Sequence, residues 1–201
     1  MVKVKICGIT NLEDALIAVE AGADALGFVF FQGSPRFISP EEAAMIIRRL
    51  PPFVQTVGLF VNEASTKVNA IADQCGLDLI QLHGDESPEY CTGITRRIIK
   101  AFRVKDASSL DEMANYRVAA CLLDAWSPAA RGGTGTTFNW EIAAKAAVSH
   151  TIILAGGLTP ENVAGAIAAV KPYAVDVSSG VESAPGIKNT ELVRRFIRSC
   201  K

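Results

Sequence analysis

Four side chains in this sequence carry most of the available chemistry: Cys7, Asp124, His83 and Arg36, three of them at the end of a short apolar run and the fourth just beyond one. A thiol has an unperturbed pKa of about 8.5, and electropositive surroundings bring it to thiolate near neutrality, which makes Cys7 a candidate acid or base. Buried cysteine is also a common small core residue, so packing alone accounts for it as well. Asp124 closes the run Cys121-Leu122-Leu123. There it either caps a loop amide or, partly desolvated, stays protonated and donates.

His83 invites a general-base or metal reading. The chain has only two histidines, and His150 precedes a later apolar run, so a hydrogen-bonded structural histidine is favoured over a catalytic one and no metal is expected. Arg36 is either a solvated loop charge or a planar fork suited to a substrate carboxylate. Two glycine-containing loops complete the set: Ala155-Gly156-Gly157-Leu158 and Val177-Ser178-Ser179-Gly180-Val181. Glycine lets backbone N–H groups approach an anion closely, and a short helix N-terminus complements phosphate charge.

What must position these groups is a recurring rhythm of short apolar, β-branched runs and amphipathic stretches. The strand expectations are 2–8, 23–31, 54–61, 77–83, 97–102, 119–124, 151–155 and 173–177. Helical expectations follow each: 11–21 with Asn11 as N-cap, 40–50 after Ser39, 65–75, 87–93, 108–116, 140–148, 160–170 after Thr159, and 190–199 after Asn189. Ser39-Pro40 and Thr159-Pro160 read as helix starts, since a hydroxyl caps free N–H groups and proline suits the first turn. Strands apolar at consecutive positions, such as Ala25-Leu26-Gly27-Phe28-Val29-Phe30, fit a parallel sheet covered on both faces.

Eight such units predict closure into a single (β/α)₈ TIM barrel over residues 1–201, with an open flavodoxin-like sheet as the runner-up. Neither G-x-G-x-x-G nor a P-loop is present. In a barrel of this kind the loops after the strands form the active site, and those after strands seven and eight often hold phosphate. The glycine loops fall there. Cys7, Arg36, Asn62, His83, Arg103 and Asp124 fall at or after the ends of strands one to six.

The 201 residues are 49% hydrophobic, with 20 basic and 21 acidic residues giving a net charge of -1. That balance points to neither a nucleic-acid footprint nor a polybasic membrane patch. No apolar run approaches the ~20 residues a membrane helix needs, so a cytoplasmic location is expected. Five cysteines, odd in number and widely spaced, argue against a disulfide framework or structural zinc.

Several segments together resemble phosphoribosylanthranilate isomerase of tryptophan biosynthesis. They are Lys5-Ile6-Cys7-Gly8-Ile9-Thr10, Gly27-Phe28-Val29-Phe30 leading to Ser34-Pro35-Arg36, and Val57-Gly58-Leu59-Phe60-Val61-Asn62. Further on come Gln81-Leu82-His83-Gly84-Asp85-Glu86, Leu122-Leu123-Asp124 with Gly132-Gly133-Thr134-Gly135, Ala155-Gly156-Gly157-Leu158, and the run Val175 to Glu182. The likeness extends to Pro185-Gly186-Ile187-Lys188. One departure is Asn189, where relatives often carry Asp; both cap a helix about equally well.

The resemblance implies an Amadori rearrangement of N-(5-phosphoribosyl)anthranilate to 1-(2-carboxyphenylamino)-1-deoxyribulose 5-phosphate, without cofactor or metal. It implies Asp124 as the acid that opens the ring and Cys7 as the base at C2′. Arg36 would hold the anthranilate carboxylate, with His83 lining the site. Gly156, Gly157, Ser178, Ser179 and Gly180 would hold the phosphate, and the loop Arg131–Gly135 would close over the site. The only partner expected is that small phosphorylated substrate, with a monomer favoured over a homodimer. Competing readings are a pentose-phosphate epimerase, for which the metal-binding histidines are missing, and an indoleglycerol-phosphate synthase, for which the strand-end lysine is missing. A barrel kept only as a phosphometabolite-binding module is the third, and intact Cys7 and Asp124 argue against it.

Overall fold

The computed structural model describes residues 1–104, 107–125 and 140–201. The apolar runs extend into β1 (Lys3–Cys7), β2 (Ala25–Val29), β3 (Gln55–Phe60), β4 (Leu79–Leu82), β5 (Arg97–Val104), β6 (Ala120–Ala125), β7 (Ile152–Leu154) and β8 (Ala174–Val177). Each pairs in parallel with its neighbour in sequence, and β8 returns to β1, so the sheet closes into a barrel. The register at the seam sets Lys5 opposite Asp176 on one side and Ala25 on the other.

Alternation along the strands sorts the apolar residues into two layers. Val57, Ile99, Ala101, Leu122, Ile153 and Ala174 fill the barrel interior as one cluster. Phe28, Phe60, Ile80, Leu82, Leu123 and Val175 belong to the larger core shared with the helices. Leu122 and Leu123 therefore face opposite ways. The same period carries Asp124 back to the inside, as it carries Cys7 to the side of Lys5 and His83 to the side of Gln81.

The outer layer is α1 (Leu12–Ala21), α2 (Pro40–Ile47), α3 (Ser65–Cys75), α4 (Pro88–Cys91), α5 (Trp140–Ala146), α6 (Val163–Val170) and α7 (Thr190–Cys200). Asn11 and Asn189 cap α1 and α7, accepting from the amides of Asp14 and Leu192. Ser39 forms a full capping box with Glu42, a device worth about 1 kcal/mol. None of the helices in the described residues is long and apolar enough to cross a membrane.

Three helix expectations need correction. Pro160 does not open α6: the Asn162 side chain accepts from the Thr159 amide at 2.8 Å and donates to the Gly157 carbonyl at 2.9 Å, so a turn forms first and the helix starts at Val163. The segment expected at 108–116 is a 3₁₀ helix, Ala107–Asn115, in a stretch rich in the Ser, Asp and Asn that favour local turns. The helix expected over 87–93 is a single turn, Pro88–Cys91. An element absent from the expectations also appears. After a short 3₁₀ turn at Ser179–Val181, β9 (Glu182–Ala184) and β10 (Ile187–Lys188) make an antiparallel hairpin around Gly186, whose φ of 81° suits glycine.

Candidate active site

At the C-terminal end of the barrel strands lies a cavity of about 200 Å³, and Cys7, Arg36, His83, Asp124, Gly156, Gly157, Ser178, Ser179 and Gly180 all line it. These are all the residues expected at the site. An opening of about 420 Å³ at the other end is lined by Lys3, Asp24, Phe53 and Arg97 among others and contains none of them. The expected closing loop, Arg131–Gly135, lies outside the described residues.

Cys7 is only 5% exposed, and its surroundings are charged. A Cβ built on Gly27 would lie 2.7 Å from the Cys7 sulfur and 3.0 Å from Cε of Lys5, so glycine is what lets β2 pass this close to both side chains. Burial pushes the Cys7 thiol above its ordinary value; Lys5 and Lys188 act against it, and Asp176 reinforces it. That direction runs contrary to the expectation that the surroundings depress its pKa. Desolvation outweighs the two cations.

Arg36 follows β2, and its guanidinium is half committed. Nε and Nη2 donate to the two oxygens of Glu182 at 2.9 and 2.7 Å, leaving the remaining edge for a ligand. Glu182 also accepts from Lys188 Nζ at 2.8 Å, and the same ammonium donates to the Cys7 carbonyl at 2.6 Å. Burial by itself raises the Glu182 carboxyl, but Arg36 and Lys188 prevail and hold it below its usual range.

Across the barrel floor runs a second polar chain. Lys5 Nζ donates to Asp176 Oδ1 and to Gln81 Oε1, both at 2.9 Å, and Gln81 Nε2 lies 2.9 Å from His83 Nδ1. His83 Nε2 then stands 3.3 Å from Asp124 Oδ2 without the angle of a formed hydrogen bond, which leaves it unpaired among the described residues. Gln81 is fully buried and Asp124 is 4% exposed. His83 is thus built into a side-chain network.

Loops seven and eight meet directly. Gly156 and Gly157 take φ of 81° and 65°, and a Cβ on Gly180 would overlap the Leu158 carbonyl. Only glycine allows that approach. The Ser178 hydroxyl is buried with no hydrogen-bond partner among the described residues, a free donor beside the short 3₁₀ turn. Positive-φ glycines and a free hydroxyl together suit a phosphate.

Asn62 and Arg103, also at strand ends, serve the scaffold instead. Asn62 sits at φ 51° and its side chain accepts from the Asp85 amide at 2.7 Å, while Arg103 pairs with Asp85 at 2.7 Å. Lys5, Gln81, Asp176, Glu182 and Lys188 are the residues that sequence reasoning missed. Lys5 and Gln81 each stand two positions before a chemically active residue on the same strand face, and that spacing is the signal that finds them.

The family model described as N-(5'phosphoribosyl)anthranilate (PRA) isomerase matches residues 4–199. A curated protein of Pelobacter propionicus named N-(5'-phosphoribosyl)anthranilate isomerase is 66% identical over 201 residues, 100% of this chain and 96% of the relative. The crystal structure of phosphoribosyl anthranilate isomerase from Thermotoga maritima superposes with a TM-score of 0.94 at 48% identity, covering 99% of this chain and 98% of that one. A second crystal structure, of a phosphoribosyl anthranilate isomerase in complex with reduced 1-(o-carboxyphenylamino)-1-deoxyribulose 5-phosphate, matches at TM-score 0.90 and 46% identity, with the same coverage of 99% and 98%.

Proposed function

The chain belongs to the N-(5'-phosphoribosyl)anthranilate isomerase family and is an isomerase of tryptophan biosynthesis, and from that premise we propose that Cys7 and Asp124 perform its Amadori rearrangement as general base and general acid. The observation that carries the assignment is a single cavity lined by both groups, by Arg36 and by the glycine loops seven and eight. A substrate across the mouth meets one group on each side. Asp124 gives its proton to the ribose ring oxygen, the C1′–O bond breaks, and the anilino nitrogen closes a C=N bond. Cys7 thiolate then takes the C2′ proton, and the resulting enolamine tautomerises to the ketone.

The phosphate is assigned to Gly156, Gly157, Ser178, Ser179 and Gly180, supported by their positive-φ glycines and free hydroxyl. The anthranilate carboxylate is assigned to the edge of Arg36 that Glu182 leaves open. His83 acts beside Asp124. The relative solved with the reduced 1-deoxyribulose 5-phosphate compound supports a ligand carrying both a carboxylate and a phosphate.

Closure of all eight strands into one barrel supports a single domain over 1–201. A catalytic thiol asks for a compartment that keeps thiols reduced, which supports a cytoplasmic location. The test is turnover. Cys7→Ala and Asp124→Asn should each lower kcat by roughly 10²–10⁴, with a reduced product analogue still bound. Near wild-type kcat in folded Cys7→Ala would return the cysteine to the core.

A further inference from the structure

The buried chain from Asp176 to Asp124 has a direction, and one residue sets it. Lysine ammonium offers only donors, so the Gln81 atom 2.9 Å from Lys5 Nζ must be the amide oxygen. The amide NH₂ therefore faces His83 Nδ1 at 2.9 Å. A donor there requires Nδ1 to accept, which leaves the ring proton on Nε2, the nitrogen 3.3 Å from Asp124 Oδ2. Asp176, fixing Lys5 from its other side at 2.9 Å, keeps the ammonium from turning the amide round.

We propose that Gln81 is a positioning residue that fixes His83 as the neutral Nε2–H tautomer, placed 3.3 Å from Asp124 to turn and donate to the carboxylate formed during the reaction. As Asp124 hands its proton to the ring oxygen, the C1′–O electron pair goes to that oxygen and a carboxylate remains at a buried position. Hydrogen bonds at catalytic groups are often long before substrate binds and tighten in the complex. The 3.3 Å gap closes as the charge appears, and the Nε2–H donor stabilises the form of Asp124 that the step creates. His83 then lines the site by touching the acid.

The inference rests on the reading of Asp124 as acid, and its first measurement does not. Long-range ¹⁵N–¹H spectra distinguish the two neutral tautomers and imidazolium, and the chain holds only His83 and His150, so His150→Asn completes the assignment. Wild type without substrate should show His83 protonated on Nε2 alone at neutral pH; an Nδ1–H pattern or an imidazolium would overturn the proposal without any variant. Gln81→Glu places a carboxylate, which can only accept, against Nδ1. It should move a proton to Nδ1 and lower kcat by about 10- to 100-fold with KM little changed, the range of one lost hydrogen bond to a charged group.

In a His83→Ala background the same substitution should change kcat by no more than about two-fold, since the ring it acts through is gone. A loss of kcat in Gln81→Glu with the Nε2–H pattern intact, or an equal loss without the ring, would mean general damage and overturn the role. Full turnover in Asp124→Asn would overturn the acid assignment, and that result is separable from the tautomer.

Discussion

Arg36 reaches Glu182 with two parallel hydrogen bonds of 2.9 and 2.7 Å, joining the loop after β2 to the hairpin after β8 across 146 positions of chain. Three donor nitrogens from two cations then share one carboxylate, because Lys188 sits on the same oxygen as Arg36 Nε. Lysine at position 36 keeps the charge but cannot hold Glu182 at two oxygens and a substrate carboxylate at once. Arg36→Lys should raise KM roughly 10-fold or more with a smaller change in kcat, and steady-state kinetics on the two proteins decide it. Equal KM values would remove Arg36 from the carboxylate site.

The phosphate assignment is tested at Gly157. Any L side chain at its φ of 65° carries backbone strain of about 1–2 kcal/mol, so Gly157→Ala measures the strain and Gly157→Asp adds a negative charge. KM should rise at least about tenfold more for the aspartate than for the alanine, since a like charge beside the phosphate costs more than 1.4 kcal/mol in a site shielded from water. Matching KM values in two folded variants would move the phosphate elsewhere.

A pH profile separates the base from its neighbours. Cys7 works as thiolate, and burial holds its pKa above the ordinary value, so kcat/KM should climb with pH and keep climbing beyond about 8.5. A carboxylate base deprotonates far below a thiol, so Cys7→Asp should shift that rising limb to the acid side. A limb that stays in place in Cys7→Asp would assign it to another group.

The scaffold under loop four rests on a buried pair. Lys100 and Glu86, with side chains 4% and 1% exposed, lie 3.1 Å apart, and Glu86 also accepts from the amides of Asn62 and Gly84. Glu86→Ala removes the counter-charge of a buried ammonium, which keeps only the Gly84 and Ala101 carbonyls, and leaves two amides unpaired, which should cost about 3–5 kcal/mol. For a chain of this size the melting temperature should drop by roughly 6–20 °C. Urea unfolding within 1 kcal/mol of wild type would show that the pair contributes little.

Much of the barrel is legible because each unit repeats the same two periods, and a parallel strand buried on both faces leaves a run of apolar residues that few other structures require. Strand ends then point to Cys7, His83 and Asp124 without further help. The reading fails where a side chain abandons its local role. Thr159-Pro160 looks like a helix start, yet Asn162 bonds backward to Gly157 and delays α6, a choice made by the loop and not by propensity. Glu182 and Lys188 lie on a hairpin of three and two residues, too short to show a period, and their partners are 146 and 181 positions away. The elevated pKa of Cys7 is a property of burial, which no spacing of charged residues along the chain reports.

The seam between β8 and β1 also has a meaning for a chain on the ribosome. Cys7 emerges 181 positions ahead of the ammonium that donates to its carbonyl. At ~5–20 residues per second, that interval is roughly 10–40 s. For most of it β1 has no β8 to close against, and the sulfur lacks the elements that bury it. The thiol is thus synthesised well before the carboxylate and ammonium that enclose it, and a chain that stops short of Lys188 lacks the contact that ties the Cys7 carbonyl to the hairpin after β8.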